Sequence, residues 1–206
     1  MSLLVPSIIE TTSRGERSFD LYSGLLANRI IFLGHPINGD VANLICGQLL
    51  HLAADHTERP VQLYINSPGG DIDAALAIFD TMQHIQPPVS TVCLGAAGSV
   101  AALLVAGGAP GQRLALPNAR FLLHQPGAER QGQISDLLLA ADVVERQRRG
   151  IESILAGLIG STPAQVRTDT DRDLTLTAGE AVAYGLIDTI LEPATRADGV
   201  EPLHPD

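Results

Sequence analysis

The segment VQLYINSPGGDIDAALAIFDTMQHIQPPVSTVCLG, residues 61–95, contains two short apolar runs separated by a stretch with helical periodicity. The runs at 61–66 and 89–95 predict β-strands. The stretch 74–85 predicts an α-helix that ends at the two prolines, 87–88. A strand, a helix and a second strand in this order favour a βαβ unit with parallel strands and a right-handed crossover. The segment therefore predicts a mainly parallel sheet covered by helices.

The same alternation continues on both sides of this segment. Further predicted elements are strands at 29–33, 113–116 and 120–124, and helices at 39–55, 99–108, about 133–159, from Pro163 and over 178–185. We therefore expect one α/β domain of repeated βαβ units over residues 1–192. The polar, proline-rich tail at 193–206 is expected to be disordered.

Composition narrows the classes of function. Of the 206 residues, 45% are hydrophobic and 17% charged, as in a globular protein, and only 3% are aromatic, so the core must be aliphatic. The net charge of −10 argues against nucleic acid as a partner, because phosphate binding needs clustered lysine and arginine.

The amino terminus and the cysteines indicate the compartment. Cys46 and Cys93 lie in apolar segments and have no metal-ligand spacing, and they predict buried free thiols in a reducing cytosol rather than a disulfide. The first residues lack the basic region of a secretory signal. No uninterrupted apolar run reaches the roughly 20 residues that span a bilayer. We expect a soluble, cytoplasmic protein that does not bind membranes.

Three loops follow predicted strands and could meet at one edge of the sheet. They span 66–72, 95–99 and 124–127. Ligand sites in parallel sheets gather at the carboxyl ends of the strands, so this edge is where we expect a functional site.

Ser99, in GAAGSVAALL, is a lone hydroxyl among small and apolar residues. It is either the N-cap of the helix that follows or a nucleophile at a strand-to-helix turn. A nucleophile needs a base, and His124 directly follows an apolar strand; its alternative role is that of an ordinary strand-end histidine. An orienting acid could be Asp169, Asp171 or Asp173, among which spacing does not decide.

Backbone N–H groups could supply an oxyanion hole. The Pro-Gly-Gly of 66–71 permits close approach of a substrate backbone, although the same residues also suit a simple tight turn. The N–H of Val100, directly after Ser99, is the natural second donor. Together these groups are a complete set for acyl transfer.

Six motifs resemble, in order and separation, the ClpP family, the proteolytic subunits of the Clp protease. The resemblance runs from about residue 10 to 192 and rests on TSRGERSFDLYSGLL, YINSPGGDI, GAAGSVAALL, LPNARFLLHQPG, QGQISD and DTDRDLTLTAGEAVAYGLID. It implies a crotonase-like fold and a serine endopeptidase that needs no cofactor of its own. It also implies two stacked seven-membered rings that enclose the active sites. An AAA+ unfoldase of the ClpX, ClpA or ClpC type would use ATP to feed unfolded proteins into them.

The resemblance also assigns residues. Its nucleophile, base and acid fall on Ser99, His124 and Asp173, and its oxyanion donors on the N–H groups of Gly70 and Val100. Positions used elsewhere for ring–ring contact fall on Asp171, Arg172 and Gln131. Three regions match family features: an axial-pore segment at 1–18, a protruding handle of helix and strand at 125–160, and a substrate-lining strand at 125–133.

Two departures from the family pattern carry expectations. Gly98 and Val100 flank the nucleophile where Ala and Met are usual, and Gly98 is expected to loosen the turn. The pocket that receives the ATPase commonly carries aromatic residues at the positions of Gln62 and His84. We therefore expect the chain to dock its ATPase weakly, to use a different ATPase, or to rely on a paralogous ring for docking. The remaining pocket residues keep an apolar character: Tyr64, Val92, Leu94 and Leu116.

Two other functions are compatible with parts of this pattern. One is a structural or regulatory ring subunit that pairs with a paralogous ClpP supplying activity or docking. The other is a crotonase-fold acyl-CoA enzyme, against which the set of Ser99, His124 and Asp173 argues, because such enzymes typically rely on acidic residues.

Overall fold

The computed structural model describes residues 6–12, 15–54, 58–125, 127 and 131–192. Within these ranges the strands are β1 (Ser7–Thr12), β2 (Gly15–Asp20), β3 (Ile30–Leu33), β4 (Val61–Ser67), β5 (Val89–Gly98), β6 (Arg113–Ala115), β7 (Arg120–Leu123), β8 (Leu174–Thr177) and β9 (Thr189–Ile190). The helices are α1 (Leu21–Ala27), α2 (Gly39–Ala54), α3 (Ile72–His84), α4 (Val100–Ala106), α5 (Ile134–Ile159), α6 (Pro163–Asp169) and α7 (Ala178–Tyr184).

The main sheet is mostly parallel, which confirms the predicted α/β class. Its order is β3-β4-β5-β6-β9 with every neighbour parallel. Strand β5 is ten residues long and pairs with β4 on one side and, on the other, with β6 along its middle and with β7 near its end. Strand β8 adds antiparallel to β7. Beyond β5 the sheet therefore divides into two branches, one formed by β6 and β9 and the other by β7 and β8.

The core lies between the sheet and its helices. Strand β4 alternates buried and more exposed residues, with Val61, Leu63 and Ile65 fully buried. Every residue of α4 is buried, so this helix runs through the interior. Its alanines and aliphatic side chains explain why a chain so poor in aromatic residues can still form a dense core.

Several elements differ from the sequence prediction. Strands β1 and β2 form a separate antiparallel hairpin that the periodicity did not predict, and α1 and β8 were also missed. The substrate-lining strand expected at 125–133 is absent from the described residues of that range, none of which is in a strand. The tail at 193–206 lies outside the described residues. No helix in the described part of the chain is long and apolar enough to cross a membrane.

Candidate active site

Ser99 sits between the end of β5 and the start of α4 in an unusual backbone conformation. Its φ is 52° and its ψ is −123°, which is rare for a residue with a side chain. Its N–H donates to the carbonyl oxygen of Leu122 at 2.6 Å, so strand β7 anchors the turn. The side chain makes no capping hydrogen bond to α4. The N-cap interpretation therefore does not account for this serine, and its strained backbone is of the kind found at functional sites.

Glycines allow the loop after β4 to pack against the Ser99 turn. A Cβ added at Gly98 would lie 2.5 Å from the carbonyl oxygen of Pro68. A Cβ at Gly69, where φ is +95°, would lie 2.5 Å from the carbonyl oxygen of Gly98. Gly98 was expected to loosen this turn. The structure gives it the opposite role, because the missing Cβ lets two backbone segments approach closely.

The backbone at Gly70 is held by a neighbouring segment that sequence reasoning missed. The N–H of Ile37 donates to Gly69, and the N–H of Asp71 donates to Ile37, each at 2.8 Å. In the described chain the N–H of Gly70, which lies between these two bonds, donates to no backbone carbonyl. The N–H of Val100 is likewise unused there, because it opens a helix. Both groups are available to a ligand.

His124 and Asp173 face each other across the β7–β8 pair but do not interact through their side chains. Leu123, the last residue of β7, pairs with Leu174, the first residue of β8, in the antiparallel register. His124 therefore lies opposite Asp173. The Nδ1 atom of His124 is 2.7 Å from the carbonyl oxygen of Gln125. The side-chain amide of Gln125 donates to Asp171 at 2.9 Å. Among the hydrogen bonds of the described residues, none joins His124 to Ser99 or to Asp173.

One cavity of about 290 Å³ brings the predicted loops together. All three predicted loops contribute to it, including Gly70, Ser99 and His124, whereas Asp173 is not among its lining residues. The rest of the wall comes from α4, the end of β7, α5 and the α6 region, and the part formed by α5 and α6 was not predicted from the sequence. The lining residues are Gly70, Asp71, Ile72, Ser99, Val100, Leu103, Leu123, His124, Gln125, Gly127, Val144, Gln147, Arg148, Ile151, Glu152, Leu155, Val166 and Thr170.

Neither cysteine lines the cavity that contains Ser99. Both are free, as predicted. Cys93 is fully buried, and burial raises the pKa of its thiol to about 12, so it stays protonated. Cys46 is half-buried and accepts a hydrogen bond from the hydroxyl of Thr81 at 3.3 Å. Within the described residues no three His, Cys, Asp or Glu side chains are grouped to hold a metal ion.

The other predicted contact residues lie outside this cavity. Gln62 is exposed on β4 and accepts a hydrogen bond from the hydroxyl of Tyr64 at 3.2 Å. Of the remaining docking positions, Val92 is buried, Leu94 is half-buried, and Leu116 and His84 are exposed. The residues predicted for ring–ring contact are all exposed in the single chain: Gln131, Asp171 and Arg172.

A strained serine, a histidine and two unused backbone N–H groups around one cavity define a site of the acyl-transfer class. The family model described as Clp protease matches residues 13–194. The "ATP-dependent Clp protease proteolytic subunit 1" of Nocardia farcinica is 53% identical over 190 residues, which cover 92% of this chain and 96% of that protein. The chain belongs to the Clp protease family, and it is a serine-type peptidase.

Proposed function

We propose that this chain hydrolyses unfolded proteins and peptides with Ser99 as nucleophile, His124 as general base and Asp173 as the orienting acid. The N–H groups of Gly70 and Val100 stabilise the oxyanion. The observation that carries the proposal is the strained, uncapped Ser99 in a cavity shared with His124 and both donors.

The chemistry follows from these roles. The Oγ atom of Ser99 attacks the peptide carbonyl carbon while its proton passes to Nε2 of His124. The negative charge that forms on the carbonyl oxygen is met by the two N–H groups. His124 then gives the proton to the leaving amine. Water, activated by the same ring, hydrolyses the acyl-enzyme.

The contact between Nδ1 of His124 and the carbonyl oxygen of Gln125 affects the catalytic cycle. A carbonyl acceptor at Nδ1 keeps the proton there and leaves Nε2 free for Ser99. A carbonyl oxygen stabilises an imidazolium less than a carboxylate does. We therefore propose that full activity requires Nδ1 to turn from Gln125 to Asp173, which the β7–β8 register places nearby.

Assembly into rings is part of the proposal. The first half of α5 exposes a series of apolar side chains: Ile134, Leu137, Leu138, Leu139 and Val143. A single chain that remained a monomer would leave these groups in water, so they suit contact with a second copy. We propose that the chain forms two stacked seven-membered rings, to which α5 contributes as the handle over residues 125–160. The segment at 1–18 is proposed to line the axial pore.

An ATP-driven partner completes the proposal. The relative from Nocardia farcinica is named as an ATP-dependent subunit, and the chain has a family match over most of its length. We propose that an AAA+ unfoldase of the Clp type uses the ATP, and that this chain uses no cofactor. ATP is available in the cytoplasm, where we place the complex.

Peptide hydrolysis by the purified chain tests the function. The chain and its Ser99→Ala variant are assayed with short fluorogenic peptides, and particle mass is recorded on the same samples. We expect hydrolysis by a double-ring particle and its loss in the variant, because the attacking oxygen is gone. A full double ring without hydrolysis would contradict the proposal and favour a structural subunit, whereas a smaller inactive particle would show that a paralogous partner is required.

A further inference from the structure

Helix α5 contributes one wall of the cavity that holds Ser99. The residues that line it recur at spacings of three and four, so they form a single helix face. They are Val144, Gln147, Arg148, Ile151, Glu152 and Leu155. Most of this face is apolar or neutral, and Arg148 and Glu152 place an ion pair in it. Charges are costly to remove from water, so the hydrogen-bond partners of these two side chains matter for any substrate group placed against this face.

The carboxylate of Glu152 is already satisfied by two arginines. The side chain is buried, and its Oε1 accepts from Nε of Arg148 at 2.8 Å. Its Oε2 accepts from Nε of Arg167, on α6, at 3.1 Å, and lies 3.1 Å from Nη2 of the same arginine in an ion pair. A cationic substrate could therefore use Glu152 only by displacing one of these arginines.

Arg148, in contrast, has donors to spare. A guanidinium carries five N–H groups. In the described residues only Nε of Arg148 has a hydrogen-bond acceptor, and the next nearest carboxylate oxygen, on Glu145, is 3.7 Å from Nη1. Glu145 is itself engaged elsewhere, because its Oε1 accepts from Nε of Arg149 at 2.9 Å and from Nη2 of Arg167 at 3.1 Å.

The other carboxylate of the cavity is also engaged. Asp71 caps α3 by accepting from the N–H of Ala74 at 2.8 Å. The cavity therefore presents apolar surface together with free donors on Arg148, while its carboxylates already have partners.

We infer that Arg148 makes this cavity select a substrate side chain that ends in a carboxylate, at the residue whose carbonyl carbon Ser99 attacks. The inference rests on the proposed function and names the substrate class of the same site. The methylene groups of a glutamate would lie against the apolar wall, and its carboxylate would accept charge-assisted hydrogen bonds from the guanidinium. A lysine at this position would be repelled and would find no free acceptor on Glu152.

Four fluorogenic peptides that differ only at this residue test the inference. They carry Glu, Gln, Leu or Lys and are assayed with the full-length chain as the ratio of kcat/KM values. We expect Glu to exceed Leu by about tenfold, which is the scale of one hydrogen bond to a charged group, with Gln between them and Lys lowest. Arg148→Met should abolish the advantage of Glu, and Arg148→Lys should retain part of it.

Arg149→Met is the matched control for loss of an arginine from α5. Arg149 binds Glu145, does not line the cavity, and its side chain is 69% exposed, so its loss should leave the ratios unchanged. Labelling of Ser99 by a small fluorophosphonate, read by mass, reports the nucleophile without using the side-chain cavity.

The outcomes separate the inference from the function on which it rests. A chain that is labelled at Ser99 but cleaves the Leu peptide fastest overturns the inference alone. Retention of the Glu advantage in Arg148→Met also overturns it. A chain that is neither labelled nor able to cleave any peptide overturns the proposed function, and the inference with it.

Discussion

At the scale of single residues, close backbone contact holds Ser99, the proposed nucleophile, in place. Ser99 has a positive φ, and the loop after β4 approaches it where a Cβ on Gly69 or Gly98 would collide with a carbonyl oxygen. A conformation of this kind persists only if its surroundings enforce it. Glycine is therefore needed at these positions because a side chain would not fit, as well as for its backbone flexibility.

Gly69→Ala should impair both folding and hydrolysis. The new Cβ would lie 2.5 Å from the carbonyl oxygen of Gly98, in a backbone with φ of +95° that alanine disfavours. We expect a lower Tm, corresponding to about 2–4 kcal/mol from strain and overpacking together, and loss of peptide hydrolysis. Thermal melts and the fluorogenic assay measure the two effects.

Gly111→Ala is the matched control for that substitution. Gly111 also has a positive φ, of +78°, but a Cβ there would meet nothing within 4 Å. It should cost only the backbone strain, about 1–2 kcal/mol, and leave hydrolysis intact. Equal losses of Tm and of hydrolysis in the two variants would show that the collision with the carbonyl oxygen of Gly98 adds nothing to the effect of backbone strain.

At the scale of elements, Arg113 joins the edge of the sheet to the ends of two helices. Its guanidinium donates to Asp188, just before β9, with Nε at 3.0 Å from Oδ2. It also donates to the carbonyl oxygens of Leu158, at the end of α5, and of Gly185, after α7, at 3.2 and 2.8 Å. One side chain thus fixes three segments that are distant in sequence.

This junction predicts a loss of stability in acid. Hydrogen bonds from Arg113 hold the pKa of Asp188 below its ordinary value of about 4. A carboxyl group whose pKa is lowered by folding stabilises the protein above the unfolded pKa, and this contribution disappears as the pH falls through the folded pKa. Asp188→Asn should therefore lower the Tm at pH 7, and the difference from the wild type should shrink as the pH falls below 4.

The control for acid unfolding is Asp80→Asn, which changes an exposed carboxylate on α3. Its melting curves should follow those of the wild type across the same pH range. A difference between Asp188→Asn and the wild type that stays constant down to the lowest measurable pH would contradict the role given to the ion pair.

Elements with strong local patterns could be predicted from the sequence, and those made by distant contacts could not. The β4–α3–β5 unit and the 26-residue α5 have clear apolar periodicity, and their predicted bounds agree with the structure to within a few residues. Strand β8 has only one buried residue in four, so its pattern carries little signal. Its pairing with β7 comes from long-range packing.

The residues of the candidate site likewise include some that local patterns predict and others that depend on distant contacts. Strand ends and glycines pointed to Ser99, His124 and the loop that contains Gly70, because these are local features of the chain. Which aspartate accompanies His124 was not decided by spacing and came from family resemblance. The α5 wall of the cavity depends on how a distant helix packs, and no local pattern reports that.

At the scale of the whole molecule, one face of the sheet carries four of the six positions predicted for ATPase docking, on β4 and β5, whereas His84 ends α3 and Leu116 follows β6. Phe32, Tyr64, Val92 and Leu114 are register neighbours across four adjacent strands, so they form one row. Gln62 lies two residues before Tyr64 on the same strand and interacts with its hydroxyl. Gln62 therefore lies in the neighbouring row, with Ile30 and Ser90, and an exposed glutamine beside the apolar row reduces the apolar surface that a partner's loop could bury.

Restoring aromatic rings should strengthen docking of a Clp ATPase. Gln62→Tyr combined with His84→Phe adds two large apolar side chains at positions exposed in the single chain. Each ring in a well-packed pocket contributes about 1–2 kcal/mol, so affinity should rise at least about tenfold. Binding of a ClpX-type ATPase to the immobilised particle measures the change in affinity.

His51→Phe, also in the last turn of a helix, is the control for added surface hydrophobicity and should leave the affinity unchanged. Unchanged affinity in the double variant would contradict the prediction and show that Gln62 and His84 do not limit docking.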